Sequence, residues 1–180
     1  MKLKCYIVSI VLFFAAAAPA TAQDLFMKIQ EPGAPPGESV AAAFPGWSEI
    51  TDLNAGASAE LPVGWNGGGA VTTKCFTISM ALDRVGYYLK RKMYQRVLIR
   101  NMQIDITKQT GQGLQTYYSI ALEDVYVTLV EEGVNEEGRT TLNVSFVPEK
   151  FRYTYYPQNN NGTLGTPVVF GWNQRMNVAW

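Results

Sequence analysis

Tyr155-Tyr156-Pro157-Gln158-Asn159-Asn160-Asn161-Gly162, followed after four residues by Pro167-Val168-Val169-Phe170-Gly171-Trp172-Asn173, decides the fold of this 180-residue chain. Strand-forming aromatics run into Pro157, whose backbone has no N–H to give a sheet ladder, so the extended segment must break there. The Asn and Gly cluster that follows suits a turn with positive φ, and residues 168–172 read as the returning strand. Taken alone, the pattern specifies a β-hairpin.

Working back toward the N-terminus, residues 142–156 read as the strand entering this hairpin, with a break near Pro148. Residues 117–130 form a long strand before it, and an acidic loop spans 131–139. Over residues 96–108, Val97, Ile99, Ile104 and Ile106 alternate with Arg96, Arg100, Gln103, Asp105 and Thr107, the period of a half-buried strand. Residues 83–95 are the one predicted helix: Asp83 can cap it, while Val85, Tyr88, Leu89 and Lys92 recur at helical spacing as a short apolar face. Further strands are expected over residues 71–82, 47–55 and 24–30. A loop rich in Pro and Gly separates the first two strands at 31–46, and a Gly-rich stretch at 56–70 ends in Gly67-Gly68-Gly69. About seven strands and one helix in one domain predict a barrel or a sandwich.

Lys2 and Lys4 precede an apolar run from Cys5 to Ala18 and the small-residue site Ala20-Thr21-Ala22, the layout of a secretory signal peptide cut after Ala22. That run is shorter than the roughly 20 residues a membrane span needs, so a retained anchor is the weaker reading and stable membrane insertion is not expected. The chain then divides into a signal peptide, residues 1–22, and one β domain, residues 23–180, secreted or periplasmic. Cleavage leaves 13 basic against 15 acidic residues, a net charge of −2, which argues against a dedicated nucleic-acid binder. Cys75 becomes the single cysteine, which removes any internal disulfide; it is expected as a small apolar residue within a strand.

The chain has no histidine, so a Ser-His-Asp or Cys-His arrangement is impossible. Gly67-Gly68-Gly69 lacks a following Lys-Ser/Thr to grip phosphate and reads as a flexible loop. Adjacent carboxylates occur at Glu123-Asp124, Glu131-Glu132 and Glu136-Glu137. The first pair lies on a strand and points to opposite faces, and the other two bracket glycines in a solvated turn. Lys90-Arg91-Lys92 reads as a solvated helix face, with a contact to an acidic surface of a neighbouring subunit as the functional alternative. Tyr117, Tyr118, Tyr126, Phe146, Phe151 and Tyr153, with Tyr155 and Tyr156, occupy strand positions, where core and subunit packing explain them more simply than stacking on bases or sugars. A secreted β domain without catalytic residues, cofactor or metal is the expectation.

The opening signature resembles the C-terminal hairpin of the haemolysin-coregulated protein (Hcp) family, the ring-forming tube subunits of bacterial type VI secretion. Leu25-Phe26-Met27-Lys28-Ile29 resembles that family's first strand, Gly37-Glu38-Ser39 its short Gly-Glu-Ser motif, and Asp83-Arg84 the start of its helix. Tyr117-Tyr118-Ser119-Ile120-Ala121-Leu122-Glu123-Asp124-Val125 is similar to its long Tyr-Leu and Leu-x-Asp/Glu-Val strand. The resemblance implies an all-β fold, a small β-barrel of two packed antiparallel sheets with one flanking helix. It also implies a non-enzymatic homo-oligomer, a hexameric ring with a central channel that can stack and carry secreted effector proteins. On the same basis Asn54 stands near a channel-facing position, and Gly67, Gly68 and Gly69 lie in the loop by which stacked rings touch. The chain departs from the pattern in its leader, in Leu53-Asn54-Ala55-Gly56 where a Ser/Trp-rich ending is usual, and in Arg139-Thr140-Thr141 where a glutamate is common. The alternative is a secreted or periplasmic binding module of the same fold, outside a working tube.

Overall fold

A computed structural model describes residues 23–59, 71–110 and 113–180. Among them run β1 (Gln23–Ile29), β2 (Ser48–Asn54), β3 (Ala57–Ala59), β4 (Val71–Thr73), β5 (Phe76–Ala81), α1 (Arg84–Gln95), β6 (Ile99–Thr110), β7 (Gly113–Val134), β8 (Thr140–Tyr155), β9 (Val168–Asn173) and β10 (Val178–Ala179). Six strands in the order β8-β5-β2-β1-β6-β7 pair antiparallel and return to β8, closing a barrel. Every pairing is antiparallel, from β1 between β2 and β6 to β7 against β8. The predicted first and second strands, the helix and the closing hairpin strands are all present. The leader and Gly67-Gly68-Gly69 lie outside the described residues.

Alternation decides what fills the barrel. Met27, Ile50, Ile78, Ile104, Leu122 and Val144, one from each of the six strands, are buried in a single apolar cluster. Phe76 and Phe146, also fully buried, stack across the β5–β8 ladder with ring centroids 5.8 Å apart and planes 9° from parallel. Helix α1 lays Val85, Tyr88 and Leu89 on this core. Its first turn is held at Asp83, whose carboxylate accepts from the Gly86 N–H at 2.7 Å and from the Ser48 hydroxyl of β2. Gly86 lets the helix come close to β8, since a Cβ there would lie 2.6 Å from Leu142. Arg96 ends the helix in the left-handed conformation at φ 55°.

Four segments differ from expectation. Residues 71–82 are two strands: β4 pairs with β3 in its own two-stranded ribbon, and the chain rejoins the barrel only at Phe76. Cys75 therefore sits exposed in the link between them and is not a packed strand residue. The acidic loop is shorter because β7 continues to Val134, opposite Thr140; Asn135 Oδ1 accepts from the Glu137 and Arg139 N–H groups and replaces the loop by a tight turn. Strand β8 does not break at Pro148. Its partner on one edge is β5 over residues 141–146 and β9 over residues 150–155, so Pro148 falls in the gap between them. The Pro148 carbonyl faces that gap and accepts from the Gln174 side chain at 2.8 Å, so the missing N–H costs no ladder bond. In the hairpin connection only Gly162 takes a positive φ, 83°. Asn161 instead accepts from the N–H and hydroxyl of Thr163 through its side chain.

The loop before β2 folds back on that strand. Gly37 N–H donates to the Gly46 carbonyl and Ser39 N–H to that of Trp47, while Phe44 stacks on Phe26 at 4.0 Å. A Cβ at Gly37 would overlap the backbone carbonyl of Trp47. Gly37→Ala is expected to lower unfolding free energy by about 1–3 kcal/mol through this forced backbone shift. Urea unfolding measures it, and an unchanged midpoint would mean that the loop can move aside at no cost.

Candidate functional site

Three features organise the surface: a loop strap over α1, an aromatic ladder on the closing hairpin, and the β3–β4 ribbon outside the barrel. The strap begins at Glu31, directly after β1. One carboxylate oxygen accepts from the Tyr88 hydroxyl at 2.6 Å and the Lys92 ammonium at 2.8 Å, and the other from the Arg100 N–H at 2.9 Å. The Glu31 side chain is 6% exposed and that of Lys92 13%, so this is a nearly dry ion pair joining the loop, the helix and the start of β6. Burial pushes the Glu31 carboxyl up, but its three hydrogen bonds and the charge of Lys92 together outweigh that and hold it below the ordinary 4.5. Burial likewise pulls the Lys92 ammonium down, and Glu31 and Tyr88 more than restore it, leaving its pKa raised.

Further along the strap, Glu38 pairs with Arg84 at 3.1 Å, and the Ser39 hydroxyl donates to Glu49 of β2 at 2.8 Å. The Gly-Glu-Ser motif thus supplies a close crossing, a bond to the helix and a bond to β2. Lys90-Arg91-Lys92 is not the freely solvated face that its charges suggest. Lys92 is partly buried and pairs with Glu31, Lys90 pairs with Glu132 at 2.6 Å, and Arg91 lies over the Tyr88 ring at 4.9 Å. Two of the three cations hold the helix to neighbouring elements.

On the hairpin, Tyr118 of β7, Tyr153 of β8 and Phe170 of β9 form a ladder. Successive centroids lie 5.9 and 6.4 Å apart and the planes differ by 9° and 11°. Trp172 follows Phe170 on the same face at 6.5 Å. Tyr153, Phe170 and Trp172, together with Phe151, Gly56 and Ala57, line an apolar groove of about 320 Å³. Burial, with Tyr118 nearby, pushes the Tyr153 phenol up to about 12. On the other face of the hairpin, Trp180 lies under the Arg152 guanidinium at 4.2 Å, and its N–H donates to the Gly171 carbonyl. A Cβ at Gly171 would overlap the Trp180 carbonyl oxygen, which is why glycine stands in this strand.

Asn54 is exposed at the end of β2, opposite Thr77 of β5. The predicted ring-stacking glycines 67, 68 and 69 fall between β3 and β4 in sequence and outside the described residues. The carboxylate pairs do not converge: Glu123 binds Lys150 at 3.1 Å, Asp124 turns out of strand geometry at φ 51°, and Glu131, Glu132, Glu136 and Glu137 are exposed. Among the described residues no group of three or more His, Cys, Asp or Glu is placed to hold a metal ion, and no helix is long and apolar enough to cross a membrane. Glu31 escaped sequence reasoning because its partners lie 57, 61 and 69 residues away, and no short-range spacing encodes such a contact.

Glu31→Gln is expected to destabilise the fold by about 2–4 kcal/mol at neutral pH, because it strands a nearly buried ammonium. The depressed carboxyl gives the pH direction: its contribution is fully present above 4.5 and is lost as pH falls below that value toward the folded-state pKa. Urea midpoints compared at pH 7 and pH 3 should show the gap between wild type and variant narrowing in acid. A gap independent of pH would remove the ion pair as its cause.

A family model described as "Type VI secretion system effector, Hcp" matches residues 26–155. Protein hcp1 of Pseudomonas aeruginosa is 36% identical over 78 residues, 42% of this chain and 48% of the relative, so the chain spans about half the length of that curated protein. Among solved structures, a type six secretion system protein superposes with a TM-score of 0.78 at 19% identity, covering 88% of this chain and 100% of that one. Hcp1 from Salmonella typhimurium gives 0.72 at 18% identity, covering 88% and 99%. The family model covers most of the barrel, from Phe26 in β1 to Tyr155 at the end of β8, and the chain belongs to the Hcp family of type VI secretion.

Proposed function

We propose that residues 23–180 act as a non-enzymatic structural and carrier protein that assembles into hexameric rings, and that these rings stack and carry effector proteins. The observation that carries this reading is the family match over the barrel, joined to a surface that one copy leaves unfinished. Val168, Val169 and Phe170 of β9 are exposed, and the β3–β4 ribbon stands apart from the barrel sheet. In a ring of identical copies such features meet a neighbour, and contacts between unlike surfaces form a cycle where the rotation from copy to copy closes. In this reading Asn54 faces the channel, and the segment containing Gly67, Gly68 and Gly69 touches the next ring. Residues 1–22 act as a cleaved leader that delivers the protein to the periplasm or beyond. A second reading, a binding module of the same fold outside a working tube, is favoured by that leader and by the aromatic groove.

Light scattering coupled to size exclusion tests the assembly on the mature chain. A particle of six chain masses is expected, and a strict monomer at high concentration would overturn the ring. N-terminal sequencing of protein from cell fractions tests the leader: Gln23 is the expected first residue, and Met1 retained in exported protein would refute cleavage.

A further inference from the structure

We infer that the outer face of α1 is a two-fold contact between two copies of this chain, in which the acidic β7–β8 turn of each copy lies over the arginines of the other. The two charges are sharply separated along the chain. Residues 84–100 hold six of the 13 cations of residues 23–180 and no carboxylate, while residues 131–137 hold four glutamates and no cation. Within one copy these segments touch at a single ion pair, Lys90 to Glu132 at 2.6 Å, which sets the turn along one flank of the helix. The other flank faces the strap, where Arg84 pairs with Glu38 and Arg91 covers the Tyr88 ring. Between the flanks stand Tyr87 and Tyr94, 66% and 74% exposed; a seven-residue spacing puts them nearly in line along the helix. Among the described residues the exposed side chains of Arg91, Glu131 and Glu136 have no ion-pair partner.

The order across this surface is acid, tyrosine, arginine, and that order decides the symmetry. A two-fold axis along the tyrosine line carries the acidic flank of each copy onto the basic flank of the other, with the two helices parallel. An axis across the helix would set acid on acid. A contact of like surfaces is isologous and closes at two copies, unlike the head-to-tail contacts of a ring. Tyrosines then occupy its centre with arginines beside them, a composition that interface centres favour. The shape agrees. Leu82, Arg84, Tyr87 and Arg91, with Gly33 and Pro35 of the strap, line a groove of about 580 Å³. The facing turn offers that groove Val134, 70% exposed, between Glu131 and Glu136. This face is separate from β9 and the β3–β4 ribbon, so the contact stands whether or not rings form.

Self-directed cross-linking tests the symmetry, because only a residue beside a two-fold axis meets its own equivalent. Tyr94→Cys is made in residues 23–180 carrying Cys75→Ser. Asn160→Cys in the same background is the control, exposed in the hairpin connection beside the far end of β6. Under copper-catalysed air oxidation, Tyr94→Cys should form a disulfide-linked dimer about 10-fold faster than Asn160→Cys, since the contact concentrates facing thiols. Molar salt should slow that reaction several-fold by screening the flanks. Arg91→Glu, and separately Glu131→Lys with Glu136→Lys, should each slow it about 3- to 10-fold. All three substitutions together should restore the rate, because each flank again meets its opposite. Every substituted side chain is exposed, and circular dichroism verifies the fold. Equal rates at Tyr94 and Asn160, a charge reversal without effect, or a combined variant as slow as the single reversals would each overturn the contact. A particle of six chain masses found beside any of these results would leave the ring standing and remove the two-fold pair alone.

Discussion

Everything else in the barrel depends on the antiparallel ladder between β7 and β8, which runs from Tyr118 opposite Tyr155 to Val134 opposite Thr140. A sheet of six strands closes only if its first and last members meet, and this ladder is that meeting. Its length lets β8 serve two partners in turn on its other edge, β5 over residues 141–146 and β9 over residues 150–155. The first partner belongs to the closed barrel. The second leaves it, and so carries the sheet out of the barrel through β9 to β10, with the aromatic ladder ending on β9.

A closed barrel leaves its helix and long loop without a sheet to join, and side-chain chemistry holds them instead. Asp83 ties the start of α1 to β2 through Ser48, while Glu31 ties its last turn, through Lys92, to β6. Packing against Leu142 at Gly86 completes the attachment. The two carboxylates differ in kind: Asp83 satisfies orphan N–H groups at a helix start, whereas Glu31 neutralises a nearly buried cation. Loss of the second therefore strands a charge, a larger penalty than loss of a cap alone.

How much of this was legible in the sequence follows from the range of each interaction. Period-two alternation marked β6, and Asp83 with Val85, Tyr88 and Leu89 marked α1, because those signals span a few residues. Pro157 ended β8 as its missing N–H requires, yet Pro148 did not, because a strand changing partners has an edge position with no bond to lose. The Lys90-Arg91-Lys92 run misled, since charge alone cannot show that Glu31 and Glu132 come to meet it from elsewhere in the chain. Cys75 misled for a similar reason: the split of residues 71–82 into two strands follows from the pairing of β4 with β3, which composition does not encode.

Cys75 is the only cysteine of residues 23–180, so no disulfide forms within them, and closure and a largely buried ion pair stabilise the barrel instead. Closure also protects, because paired strands offer no template for stray association. Beyond the closed barrel the sheet runs on through β9 to β10, which pairs only with Trp172 and Asn173 among the described residues and leaves Val168, Val169 and Phe170 exposed. The aromatics that mark the closing hairpin as strand also tie its strands together, since Tyr118, Tyr153 and Phe170 stack in turn from β7 through β8 to β9.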